Sequence, residues 1–332
     1  MSAAPENTPV LEIRNLVVEF PTRRGVLTAI RGVSLEIGCG EILGVVGESG
    51  AGKSLTGAAV IGLLEPPGRV AGGEIRVGGR RIDNLPRRDL MALRGKTIGA
   101  IFQDPLTSLN PLLTVGDQLV ETIRCHLPLS RADAAKRAID LLGEVGIPSP
   151  ELRVQQYPHQ FSGGMRQRVV IALALAGEPE LVVADEPTTA LDVSIQAQIT
   201  ALLKRICRDR GTAVMLVTHD MGVIAETADR VAVMYAGRIV EIGPVDEIIH
   251  RPRHPYTRGL IGSIPSLSSR HDRLVQIDGA MPRLNAMPEG CAFHPRCGST
   301  QPLCRTSQPS FVTRGRVSAA CWRLAAEMED AA

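Results

Sequence analysis

The segment Gly47-Glu48-Ser49-Gly50-Ala51-Gly52-Lys53-Ser54 has the spacing G-x-x-x-x-G-K-S. Its small residues let successive backbone N–H groups curl around phosphate oxygens. Lys53 is placed to reach the β and γ phosphates of a nucleoside triphosphate and Ser54 to offer its hydroxyl to Mg²⁺. A following helix, Leu55 in its first turn, would aim its positive end at the anion. The apolar run Leu181–Ala184 ends in Asp185-Glu186. A carboxylate at the end of a buried strand can hold a metal's water shell, which assigns Asp185 to Mg²⁺. Glu186, leaving the strand, is positioned to polarise an attacking water as a general base. Alone, one run reads as a glycine turn and the other as a strand reaching the surface; together they describe hydrolysis of Mg-ATP.

Two further groups of residues could do chemistry. Ser162-Gly163-Gly164-Met165 opens a helical stretch that Ser162 would cap, and this makes a second anion-binding helix terminus. Near the C-terminal end the spacing Cys291-x5-Cys297-x6-Cys304-x16-Cys321 offers four thiolates on a proline-rich segment with few core residues, which a metal could organise. The spacing leaves zinc, an iron–sulfur cluster and unrelated reduced thiols all open. Cys39, Cys125 and Cys207 are scattered and read as ordinary small residues.

Placing these groups requires an alternation of strands and helices. A strand is expected up to Phe20 and another over Glu41–Val46, running into the glycine-rich loop and then a helix from Lys53 to Leu64. A strand precedes Gln103, followed by helices Val115–Arg124 and Ala132–Val145, the latter with Ser130 and Asp133 as a capping box. Helix Gly163–Ala176, strand Leu181–Ala184, helix Val193–Arg210 and strand Val214–Thr218 continue the pattern. The economical fold is α/β, a parallel sheet flanked by helices. From about residue 250 the texture changes to RPRHPYT, SIPSLSSR and regularly spaced prolines, a loop-rich tail.

Composition narrows the function. With 37 basic and 35 acidic residues the net charge is +2, which gives no general attraction to nucleic acid or anionic lipid. The arginine-rich stretch 76–94 reads as a solvated face, being interrupted by Asp83 and Asp89. No run approaches the roughly 18 to 20 apolar residues that span a bilayer. MSAAPENTPV lacks the basic and apolar regions of a secretory signal, so a cytoplasmic location is expected.

The ordered set Phe20, Gly47–Ser54, Gln103, Ser162-Gly163-Gly164-Met165, Asp185-Glu186, Ala190-Leu191-Asp192 and His219 resembles the nucleotide-binding subunits of ABC transporters over residues of about 10 to 250. The resemblance implies a P-loop ABC-type domain with a RecA-like parallel core, an antiparallel β subdomain and a helical subdomain at about 104–177. It further implies that Phe20 stacks on adenine, that Gln103 touches Mg²⁺ and the attacking water, and that His219 contacts the γ-phosphate. Phe161 and Met165 depart from the family's usual leucine and glutamine. ATP would be sandwiched between the loop of one subunit and Ser162–Met165 of another, so a second ATPase subunit, in a heterodimer, is expected.

Asp104-Pro-Leu-Thr-Ser-Leu-Asn110-Pro111, Tyr157-Pro-His159-Gln-Phe-Ser162 and Arg251-Pro-Arg-His254-Pro255-Tyr256-Thr257 look like the dipeptide and oligopeptide importer branch. Nickel, glutathione and some sugar importers carry similar segments. This branch implies two transmembrane permease subunits, an extracytoplasmic binding protein and a peripheral position on the cytoplasmic face of the inner membrane. By the same resemblance Gly290–Cys297 looks like the start of a segment holding a [4Fe–4S] cluster on Cys291, Cys297, Cys304 and Cys321, with Zn²⁺ as the alternative. The domains expected are 1–250, the nucleotide-binding cassette, and 251–332, a small loop-rich metal-binding extension.

Overall fold

Runs of aliphatic residues with nothing polar inside them become strands covered on both faces. Ile42–Val46 and Ala213–Val217 are buried at all five positions, and Leu181–Asp185 at the first four. The computed structural model describes residues 8–189, 191–263 and 276–324. The chain forms two compact units, one from the residues up to Leu11, Ile37–Ile42 and Arg76–Leu216, the other from Glu12–Glu36, Leu43–Ile75 and Val217 onward.

In the unit that contains the glycine-rich loop, strand Ile42–Val46 pairs in parallel with Arg230–Tyr235, Leu43 opposite Arg230 and Val46 opposite Val233. Arg230–Tyr235 pairs antiparallel with Arg238–Pro244, which pairs antiparallel with Val317–Ala319, and Val312–Arg314 closes that edge. A second sheet sets Gly25–Ile37, Leu11–Thr22 and Arg69–Val77 side by side. The loop-rich reading of the tail therefore holds only in part. Residues 312–319 make a hairpin that extends the sheet, and Pro255–Gly262 is a helix whose N-cap His254 accepts the Tyr256 N–H through Nδ1. The hairpin strands have only three residues each. That is too short for period-two alternation to show.

The other unit orders Ala213–Val217, Leu181–Asp185 and Ile98–Ile101 side by side, the last two parallel with Ile98 opposite Leu181. Its helices follow the local signals closely. Thr114 caps Val115–His126, Ser130 caps Arg131–Glu144 by accepting the Asp133 N–H at 3.1 Å, and Val193–Arg210 runs to a left-handed Gly211. Asp133 completes the expected cap differently, its carboxylate accepting the Ser130 hydroxyl at 2.6 Å.

Candidate functional site

The end of strand Ile42–Val46 delivers the chain into the glycine loop. Gly47 has φ 154° and lies so close to the Met234 carbonyl that a Cβ would overlap it. Lys53, 6% exposed, donates its ammonium to the carbonyls of Gly47 at 2.9 Å and Glu48 at 3.1 Å, so the loop closes around its own lysine. Helix Lys53–Ile61 starts at Gly52, which makes no side-chain cap, and has no acidic residue in its first turn to offset its positive end. Ser49, Gly50 and Ser54 are exposed and Leu55 is half-buried. A cavity of about 520 Å³ is lined by Ser49, Gly50, Gly52 and Leu55 and by the tail segment from Met281 to Met287. That volume falls within the range of small-molecule sites.

Phe20 and His219 belong to the same unit. The Phe20 ring lies over Gly68, where a Cβ would stand 2.7 Å from Cε1. Exposed His219 lies between Thr218, whose N–H bonds the Val45 carbonyl at 3.1 Å, and Asp220, which caps helix Met221–Thr227.

The tail reaches the loop through residues that sequence reasoning did not select. The Tyr256 hydroxyl accepts the Glu48 N–H at 2.9 Å, and Arg296 grips the Glu48 carboxylate with two nitrogens at 2.9 and 3.1 Å. Tyr235, Tyr256 and Phe293 pack together, with ring centroids 4.7 Å, 5.2 Å and 5.4 Å apart. Arg296 lies over Tyr235 and Phe293, where its cation meets the ring faces. Burial raises the pKa of Tyr256, which keeps it a neutral phenol. Fully buried Glu241 accepts the N–H groups of Arg253 and His254 at 2.8 and 3.0 Å, and burial depresses His254 to about 3. A signal was available: the chain has three tyrosines and five phenylalanines, and three of these eight rings meet here.

In the other unit, Asp185 is half-buried at its strand end and Glu186 follows in the left-handed region at φ 48°. One Glu186 oxygen accepts both the Thr189 hydroxyl at 2.9 Å and the exposed Gln103 amide at 3.1 Å. Gln103 and Glu186, 83 residues apart, are thus brought together. Ser162 accepts the Met165 N–H at 3.4 Å and caps helix Gly163–Leu175. A Cβ on Gly164 would stand 2.7 Å from Ile195, so glycine lets this helix start close against Val193–Arg210. Phe161 is buried, and Ala190 lies outside the described residues.

Cys291, Cys297, Cys304 and Cys321 line one cavity together with His254, His294 and Trp322. Gly290, at φ 65°, lies so close to the Cys304 carbonyl that a Cβ would overlap it, and the Cys291 N–H donates to that carbonyl at 2.8 Å. Burial first, and then the other three thiols, push Cys291 up to about 11. Cys321 is raised by burial and by Cys297 and Cys304. Among the described residues no three His, Cys, Asp or Glu side chains are arranged to hold a metal ion, so the expected metal-binding character of the extension is not borne out by a formed coordination shell.

Comparison with known proteins adds a second line of observation. The family described as ABC transporter matches residues 30–189, and that described as oligopeptide/dipeptide transporter, C-terminal region, matches residues 240–304. The dipeptide transport ATP-binding protein DppD of Bacillus subtilis is 48% identical over 94% of this chain and 94% of its own. The oligopeptide transport ATP-binding protein OppD of Salmonella typhimurium is 45% identical over 98% of this chain and 97% of its own. Among solved structures, the dimeric bacterial ABC transporter cassette MJ0796 is 29% identical with TM-score 0.63, covering 71% of this chain and 98% of that one. CbiO1 from Clostridium perfringens, part of a transporter complex, is 28% identical with TM-score 0.64 over 73% and 91%.

Proposed function

The chain belongs to the ABC transporter family and has its P-loop ATPase fold, and from that premise we propose that it is the ATP-hydrolysing subunit that drives import of di- and oligopeptides through separate permeases. One observation carries the reading furthest. Its relatives named for dipeptide and oligopeptide transport align over nearly the whole chain, tail included, and not over the cassette alone. Among the described residues no helix is long and apolar enough to cross a membrane, and the reading assigns the solute's path to other chains. The protein would sit peripherally on the inner face of the membrane, beside two permeases and a second ATPase subunit, with an extracytoplasmic binding protein delivering solute.

The roles follow from the chemistry at each position. Ser49, Gly50 and Gly52 would present backbone N–H groups to the triphosphate, while Gly47, Glu48, Ala51 and Leu55 would shape the loop around it, since the Glu48 N–H bonds the Tyr256 hydroxyl and the Ala51 N–H the Glu48 carbonyl. Lys53 supplies the balancing charge, Ser54 a hydroxyl for Mg²⁺ and Phe20 a face for adenine. In the other unit, Asp185 and Gln103 would hold the metal's shell, and Glu186 would take the proton of the attacking water. His219 would stabilise charge on the γ-phosphate. Ser162, Gly163, Gly164 and Met165 would serve the ATP of the partner subunit, which makes turnover a property of the pair. Residues 1–250 form the cassette in this reading, with its helical part at about 104–177, and 251–332 the extension.

The four thiols of the extension fit a soft metal by donor type, and a [4Fe–4S] cluster, with Zn²⁺ as the alternative, would bind Cys291, Cys297, Cys304 and Cys321 as thiolates. Such a group would supply a structural staple; the chain's part includes giving up the protons that burial favours on Cys291 and Cys321. Anaerobic purification with absorbance and metal analysis tests this, and a colourless protein free of stoichiometric metal removes it. The motor role is tested by reconstituting the complex with permeases and measuring peptide uptake against ATP turnover. Uptake independent of this subunit would sink the reading.

A further inference from the structure

The phosphate loop's second residue is a carboxylate, which by its charge should repel a triphosphate. In this fold Glu48 faces a dedicated partner. Arg296 binds both its oxygens, and the guanidinium is itself held in place by the carbonyls of Asp278 at 2.8 Å and Ile277 at 3.2 Å and by the rings of Tyr235 and Phe293. Only 6% of the Arg296 side chain is exposed, against 29% of that of Glu48. The pair is therefore shielded where charges act more strongly than on an open surface. The Glu48 N–H is taken by Tyr256 and its carbonyl by Lys53, the residue meant for the phosphates. The Glu48 carbonyl also accepts the Ala51 N–H at 3.1 Å, so every polar group of Glu48 is engaged, and two of these four partner residues, Arg296 and Tyr256, belong to the tail.

We propose that Arg296 and Tyr256 are positioning residues for nucleotide binding: they neutralise Glu48, turn it toward the tail and set the loop's curvature, so that the C-terminal extension is part of the ATP site. This rests on the reading of Gly47–Ser54 as a triphosphate site and extends it to residues far along the chain. Arg296 does not touch the phosphates; it acts through Glu48. Without it, an unpaired carboxylate remains beside the anion and the loop loses its outer anchor.

The test uses the full chain and measures the Kd for MgATP together with Tm, alongside Lys53→Met. Arg296→Gln is expected to raise Kd about five- to tenfold, Arg296→Lys, which keeps the charge and loses the fork, about two- to threefold, and Tyr256→Phe about two- to threefold. Adding Glu48→Gln to Arg296→Gln should recover at least half of the lost affinity, because the unpaired carboxylate is then gone. A purely structural Arg296 would lower Tm without this recovery. Unchanged Kd in Arg296→Gln, or a double variant weaker than the single, overturns the proposal while wild type still binds and Lys53→Met does not. If Arg296→Gln does not fold, Arg296→Lys at wild-type Kd overturns it equally. A wild-type chain that binds no MgATP removes the triphosphate reading and this one together.

Discussion

The phosphate loop and the carboxylate strand end are both short segments following a buried strand, yet they are held in opposite ways. Around the loop, restraint comes from buried groups: Lys53 on two carbonyls, Tyr256 on the Glu48 N–H, and a nearly enclosed Arg296 on its carboxylate. At the strand end, Glu186 is restrained by side chains that can rotate away, the Thr189 hydroxyl and the exposed Gln103 amide, on a backbone in the strained left-handed region. An anion cradle works by being preformed, since reorganisation at binding would cost affinity. In the proposed roles of Glu186 and Gln103, both would exchange partners as water and metal arrive, which bonds from side chains free to rotate would permit.

That contrast breaks most visibly at Glu186. Glu186→Gln keeps both hydrogen-bonding partners within reach and removes the carboxylate proposed as the base, so turnover of the assembled transporter should fall about 10²- to 10⁴-fold with the Kd for MgATP nearly unchanged. A parallel loss of ATP binding would mean that the strand end, too, is part of a rigid cradle. Gly47→Ala probes the other side. Its Cβ has no room against the Met234 backbone. Chemical denaturation should therefore show a loss of about 2–4 kcal/mol, with MgATP binding impaired as well. An alanine variant with native stability would show the loop to be more pliant than its contacts indicate.

The tail's support of the loop should carry a pH signature. His254 drops from its ordinary 6.5 to about 3 because burial disfavours the charged ring, so the unfolded chain binds the extra proton. Its contribution is complete above about pH 6.5 and is lost as pH falls from there toward 3, at up to about 1.4 kcal/mol per pH unit. Glu241, raised by burial, acts in the opposite sense: its contribution is present below its ordinary value and lost on going up through the raised one. Tm measured from pH 7 to 4 should therefore fall less steeply in His254→Asn, which keeps an acceptor for the Tyr256 N–H. Identical slopes would exclude His254 as the titrating group. The smallest effect is expected at Ser162→Ala, whose cap bond is long at 3.4 Å. The stability cost should sit near the low end of capping losses, about 0.5 kcal/mol. A disproportionate fall in turnover with the partner subunit present would then mark Ser162 as a phosphate contact, and unchanged turnover would remove that role.

Most of the α/β order was legible because it is local. Buried strands announce themselves as aliphatic runs, and Ser130, Ser162 and Gly211 mark helix ends within a few residues of where they act. The glycine loop was legible for the same reason: a phosphate cradle is built from consecutive backbone N–H groups, so its chemistry is written in consecutive residues. The tail was read as loops because its hairpin strands are short and become strands only by pairing with Arg238–Pro244. The four cysteines could be counted, and their sharing of one cavity, with Cys291 pushed up to about 11, follows only from folding.

The sequence by itself determined which residues could cradle phosphate, bind Mg²⁺ and take a proton, because each role needs a particular side chain or a particular run of backbone. Tertiary structure alone decided what holds those residues. Glu48 meets Tyr256 across 208 residues and Arg296 across 248, and Gln103 meets Glu186 across 83. Contacts over such separations leave no spacing pattern in the chain. They exist because packing of the sheet and the aromatic cluster brings distant segments together.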